Sequence, residues 1–174
     1  MTEASNADDS MKKQGERARW EAIARAAAEA KSEGEGESNI CELLSFRLAD
    51  EAYAIPVERV REIVRMRPLT PVPRVPKEVI GVVSLRGEIV EVVDLRVRLG
   101  LPSEGPMRRT RIIVLHGDSG RVTGLLVDEV TKVLRVPETD LRPAASSETD
   151  VVYALYRRED EFVSLMDVNR VLEI

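Results

Sequence analysis

From Ile40 onward the chain alternates apolar and polar residues with a period of two, in short runs separated by turns. Leu44, Phe46 and Leu48 alternate with Ser45, Arg47 and Ala49, the mark of a half-buried strand. Asp50-Glu51 turns the chain into a second extended run, Ala52–Pro56. Val57, Val60, Ile63 and Val64 then recur at helical spacing, so Val57–Val64 is predicted as a short helix, with Val60 and Ile63 inward and Glu62 outward. Pro68, Pro71, Pro73 and Pro76 forbid regular structure in the stretch that follows. Strands are predicted at Ile80–Leu85 and Glu88–Leu95, joined at Arg86-Gly87, where glycine supplies a positive φ at little steric cost.

A short turn at Val97–Leu101 leads into a linker-like stretch, Pro102–Arg109. Further strands are expected at Arg111–His116, Arg121–Val127 and Val130–Val136, the first two joined by a turn at Gly117-Asp118-Ser119-Gly120. A loop rich in Thr, Ser and Pro runs from Glu138 to Asp150. A last hairpin, Val151–Arg157 with Glu161–Met166, precedes a closing helical turn at Val168–Leu172. Many short strands with frequent turns argue for barrels or a sandwich rather than a parallel sheet. Two β groups of similar size are visible, without a clear internal sequence repeat.

Residues 1–39 differ in kind. They carry 6 basic and 9 acidic side chains, and Ser10 to Ser32 reads as an alanine-rich helix with a narrow apolar stripe of Trp20, Ile23, Ala27 and Ala30. Glu33 to Ser38 reads as a flexible linker. The expected organisation is therefore a polar extension over 1–39 and a folded domain over 40–174.

Composition narrows the function. Hydrophobic residues make up 43% of the 174 and aromatic residues only 3%, so the core is aliphatic. The net charge of −5 does not suit broad contact with nucleic acid. One cysteine, Cys41, excludes an intrachain disulfide and reads as a small buried hydrophobe. The amino terminus lacks the apolar core of a signal peptide, and no run approaches the ~18 apolar residues of a membrane span, so a cytoplasmic protein without membrane insertion is expected.

Catalytic designs fare poorly. The only histidine, His116, lies three residues before Ser119, which leaves no separate base for a serine nucleophile. One cysteine and one histidine cannot form a zinc site, and no phosphate-binding glycine motif is present, so no metal or cofactor is expected. The carboxylate pairs Glu88/Glu91 and Asp128/Glu129 read as solvated surface. Arg108, Arg109 and Arg111 form a small basic run without aromatic stacking platforms, which suits a solvated loop or an acidic protein partner better than a nucleic-acid strand.

The most informative stretch runs Val57-Glu58-Arg59-Val60-Arg61-Glu62-Ile63-Val64, then Leu69-Thr70-Pro71-Val72-Pro73, then Gly81 through Val83-Ser84-Leu85-Arg86-Gly87-Glu88-Ile89-Val90-Glu91 to Leu95. With Tyr53-Ala54-Ile55-Pro56, Gly124-Leu125-Leu126-Val127-Asp128-Glu129-Val130-Thr131-Lys132-Val133-Leu134 and Leu165-Met166-Asp167-Val168, it resembles the CheW family of bacterial chemotaxis coupling proteins over residues 40–174. Ser84 and Glu91 depart from the family's usual Asn and Pro, and a glycine usual near Tyr153–Ala154 is missing.

The resemblance implies a mainly β fold of two intertwined five-stranded barrels, like Src-homology-3 domains, with short helices. It implies a non-enzymatic adaptor that bridges chemoreceptor tips to the histidine kinase CheA, and that can join other CheW-like domains in ring arrays. By motif position, Val60 and Glu62 match partner-contact positions, and Val130 and Val133 match positions lining the receptor groove. Arg86 matches a basic residue with a partly structural role.

Overall fold

The computed structural model describes residues 39–102, 104–116, 120–144 and 151–174. The alanine-rich helix, the acidic linker and Ser119 lie outside them. The strands are β1 (Ile40–Leu48), β2 (Glu51–Pro56), β3 (Val60–Arg65), β4 (Val79–Leu85), β5 (Glu88–Asp94), β6 (Arg111–His116), β7 (Val122–Val127), β8 (Glu129–Pro137), β9 (Leu141–Pro143), β10 (Val152–Arg158) and β11 (Glu161–Met166). Two short helices, α1 (Leu95–Arg98) and α2 (Val168–Leu172), follow β5 and β11. The fold is mainly β, as the alternation requires.

Among the described residues the strands form two sheets, in the orders β8-β1-β2-β11-β10-β9 and β3-β6-β7-β5-β4. The β1–β2 hairpin therefore sits between strands of the second half of the chain, and the β6–β7 hairpin between strands of the first. The parallel pairs β2/β11 and β5/β7 are the seams of this exchange. Such interleaving is the intertwining that the family resemblance implies. The six-stranded sheet owes its extra member to three-residue β9, on β10; at the matching edge of the other sheet, Thr70 forms a single bridge with Val82.

The halves repeat each other in detail. Asp94 and Asp167 each cap the helix after their strand, accepting from the backbone N–H groups of Arg96 and Val97 and of Asn169 and Arg170. β3 and β8 each open with a bulge, at Val60/Glu62 and opposite Ser45/Phe46, and the two segments align without a gap. Residues 57–65 read Val-Glu-Arg-Val-Arg-Glu-Ile-Val-Arg, and 127–135 read Val-Asp-Glu-Val-Thr-Lys-Val-Leu-Arg. An internal repeat exists, then, where none was expected. It is short, and only strand register reveals how it should be aligned.

Three apolar clusters hold the body together. One lies within the six-stranded sheet around Leu43, Ala54, Val163 and Leu165, and one within the five-stranded sheet around Val83, Val90, Val92 and Ile112. The largest is shared: Leu44, Phe46, Leu48, Tyr53 and Ile55 of one sheet pack with Val93, Ile113, Leu115 and Leu125 of the other. Burying aliphatic side chains of this size contributes about 1.5–3 kcal/mol each, so the shared cluster binds the two sheets into one body.

Three local expectations need correction. Val57–Arg59 is a single 3-10 turn and Val60–Arg65 is strand, not helix. The bulge puts one extra residue between Val60 and Glu62, so two β-type runs imitate helical spacing. The turn expected at Val97–Leu101 lies at Leu99-Gly100, and it is preceded by α1, whose first residue, Leu95, was expected to end a strand. The loop from Glu138 holds a 3-10 turn, Glu138–Asp140, and then β9.

Candidate partner-docking surface

β3 and β8 are edge strands, each on its own sheet. Val60 and Val130 occupy the same place in the repeat, just before the bulge. Both are partly buried and pack against the shared cluster. After the bulge the outward positions are Ile63 and Val133, which are 41% and 53% exposed. Each edge thus presents a β-branched aliphatic side chain that the core does not claim.

Glu62 and Lys132 also correspond. Glu62 is not the outward residue expected of a helix. It is partly buried and pairs with Arg86 at 3.3 Å, while Arg86 itself is 79% exposed. Beside it Arg61 pairs with Glu88 at 2.6 Å. Arg86, at φ 51°, and Gly87, at φ 85°, form the tip of the β4–β5 hairpin, at the far edge of the sheet from β3. The two ion pairs therefore join opposite edges of one sheet, which must roll up to bring them together. At this exposure each pair contributes about 0.2–1 kcal/mol. Glu88 is accordingly half of an ion pair and not simply solvated.

The site residues divide into two groups. Val60, Glu62 and Arg86 lie together around β3 and the hairpin tip. Val130 and Val133 lie on β8 of the other sheet. The exposed Ile63 was missed because helical spacing placed it inside.

Asp128 was also misread. It is the single residue between β7 and β8, where the chain crosses from one sheet to the other. Its carboxylate accepts from Arg96 Nε at 2.8 Å and Nη2 at 2.6 Å, and from the Ala49 backbone N–H at 2.6 Å. The Asp128 hydrogen bonds raise the pKa of Arg96 above its ordinary value, against the opposing effect of burial. The signal lay in Asp-Leu-Arg, where β5 passes into α1, together with Val-Asp-Glu-Val, but nothing in either motif alone joins them.

Two clefts among the described residues lie away from these edges. A cleft of about 610 Å³ runs past Asp50, Glu51, Glu161 and Phe162, and another of about 570 Å³ past Glu88, Ile89, Arg121 and Thr123. Neither is lined by any of the five site residues. Among the described residues no group of three His, Cys, Asp or Glu could hold a metal ion, and no helix is long and apolar enough to cross a membrane. Exposed edges with isolated aliphatic side chains and paired charges suit contact with another protein.

The chain is 31% identical to the chemotaxis protein CheW of Helicobacter pylori, over 84% of this chain and 90% of that one. It is 34% identical to the protein FrzA of Myxococcus xanthus, over 76% and 85%. The crystal structure of the scaffolding protein TtCheW from Thermoanaerobacter tengcongensis superposes with a TM-score of 0.73 at 26% identity, covering 82% of this chain and 94% of that one. Residues 42–174 match the family described as the CheW-like domain, and this chain belongs to the CheW family.

Proposed function

We propose that the protein is a chemotaxis adaptor that couples chemoreceptor tips to a CheA-type histidine kinase and has no catalytic step of its own. The observation that carries this reading is the pair of equivalent edges in a chain matched to the CheW-like domain throughout its folded body. An adaptor needs two faces, and the exchanged halves supply two. The face around Val60, Glu62 and Arg86 takes the kinase, and the face with Val130 and Val133 takes the receptor. Other CheW-like domains can occupy the same edges in a ring. The protein works in the cytoplasm and reaches the membrane through its receptors. The test is reconstitution with the kinase and receptor of the source cell: adding the chain should bring kinase down with receptor-bearing membranes. Kinase that sediments equally well without it would overturn the proposal.

A second reading keeps the adaptor and changes the pathway it serves. The same adaptor chemistry would then serve a motility or developmental pathway, and the co-purifying receptor distinguishes the two.

A further inference from the structure

The repeat provides an internal control for one end of each edge strand. Counting from the bulge, Ile63 lies opposite Ile113 and Val133 opposite Leu44; next come Val64 opposite Ile112 and Leu134 opposite Leu43. The following pair differs. On the β8 edge Arg135 faces Glu42, and the two form an ion pair at 3.0 Å. On the β3 edge Arg65 faces Arg111. Side chains directly opposite on antiparallel strands approach closely, and like charges there are destabilising. Where one half of the protein closes this position with a carboxylate, the other places a second arginine.

The surroundings reinforce the difference. Residues 65–77 and 105–117 together hold seven Arg and Lys residues and no Asp or Glu, in a chain whose net charge is −5. Arg65, Arg67 and Arg108 are exposed. Arg111 donates to the backbone carbonyls of Arg108, at 3.0 Å, and Thr110, at 2.8 Å, which fixes its guanidinium without neutralising it. Among the described residues of these segments, only Arg109 has a carboxylate partner, Glu129 at 3.2 Å.

We infer that the Arg65–Arg111 end of β3 and β6 is a docking surface for an acidic segment of a protein partner, whose carboxylate takes the place that Glu42 fills on the other sheet. Guanidinium groups match carboxylates in a planar, two-pronged geometry. The two basic segments contain no Phe, Tyr or Trp, so they offer no stacking platform to a nucleic-acid strand. The inference goes beyond the adaptor reading, because it does not depend on which protein brings the carboxylates.

The test uses the full chain and a fluorescent oligoglutamate peptide, with anisotropy read at about 50 mM salt so that screening does not hide the contact. Arg111→Glu recreates the Arg–Glu pair of the β8 edge, so it should keep or raise the melting temperature while weakening peptide binding at least about tenfold. Arg65→Ala should weaken binding about threefold or more without introducing a new charge. Arg135→Ala, at the equivalent paired position, should leave binding unchanged. The inference is overturned if the wild-type chain does not bind the peptide, or if Arg135→Ala weakens it as much as Arg65→Ala. It is also overturned if single-stranded DNA of equal charge binds more tightly than the peptide. Should Arg111→Glu fail to fold, Arg65→Ala against Arg135→Ala still decides the question.

Discussion

The guanidinium of Arg96 grips both carboxylate oxygens of Asp128, and through them it joins the helix after β5 to the point where the chain passes from one sheet to the other. Asp128 accepts in addition from the N–H of Ala49, in the β1–β2 turn, so three segments meet at one carboxylate. The Arg96 side chain is 6% exposed and also donates to the Pro102 carbonyl. At the equivalent crossover Arg59 donates to Asn169 of α2. Both exchanges between the sheets are thus secured by a residue of the short helix that ends each half.

Breaking this pair on one side leaves the other partner poorly compensated in a largely buried place. Asp128→Ala should therefore destabilise the domain by about 3–5 kcal/mol, read as a lowered denaturant midpoint. The double variant Arg96→Met/Asp128→Ala should lose less than the sum of the single changes, because it leaves no unmatched guanidinium. An additive result would show that the two residues act independently.

Gly81 marks a second point of low tolerance. Its φ is 147°, and a Cβ there would lie 2.7 Å from the Thr70 carbonyl oxygen, which accepts from the Val82 N–H. Gly81→Ala should cost about 1–3 kcal/mol through strain and crowding, with faster hydrogen exchange at Thr70 and Val82. Unchanged protection at both amides would count against this account.

The pH dependence follows from Tyr53. Its ring is buried against Phe46, and its hydroxyl donates to Glu51 at 2.6 Å. Burial, then the hydrogen bond and charge of Glu51, push its pKa well above the ordinary value of 10.0. The folded state therefore favours the neutral phenol. This contribution is complete below pH 10 and is lost as pH rises above it, because the unfolded chain ionises first. Urea midpoints should fall from pH 9 to pH 11, and less steeply in Tyr53→Phe. Equal slopes in the two proteins would place the loss on another group.

Most strands were legible because alternation survives wherever one face is buried: Arg111–His116 and Glu161–Met166 have the expected bounds. Val57–Val64 was not legible, since the bulge at Val60/Glu62 inserts a residue and converts a period of two into an apparent helical spacing. The repeat was hidden for a related reason. Val60 and Val130 correspond through their ladder partners Leu115 and Phe46, which no local pattern reveals. For the candidate site, the helical reading put Val60 and Glu62 on the wrong kind of element, since Val60–Arg65 is strand. Ile63, expected inward, is 41% exposed, and Glu62, expected outward, is partly buried and paired with Arg86.

If the two edges serve two partners, variants on them should separate the two activities. Glu62→Lys places a cation beside Arg86 and removes an ion pair whose arginine is mostly exposed, so stability should change by no more than about 1 kcal/mol. Set against a basic group across an interface, the same reversal weakens binding by about 2–5 kcal/mol. Val133→Glu, at a half-exposed position on the other sheet, should leave stability within about 0.5 kcal/mol and bury an unmatched charge only in a complex. Glu62→Lys is expected to lose kinase and keep receptor, and Val133→Glu to lose receptor and keep kinase. Melting temperature and both affinities, measured on single preparations, decide the matter. Loss of both partners by either folded variant would mean that the two edges form one continuous surface, and loss of neither would move the contacts off these strands.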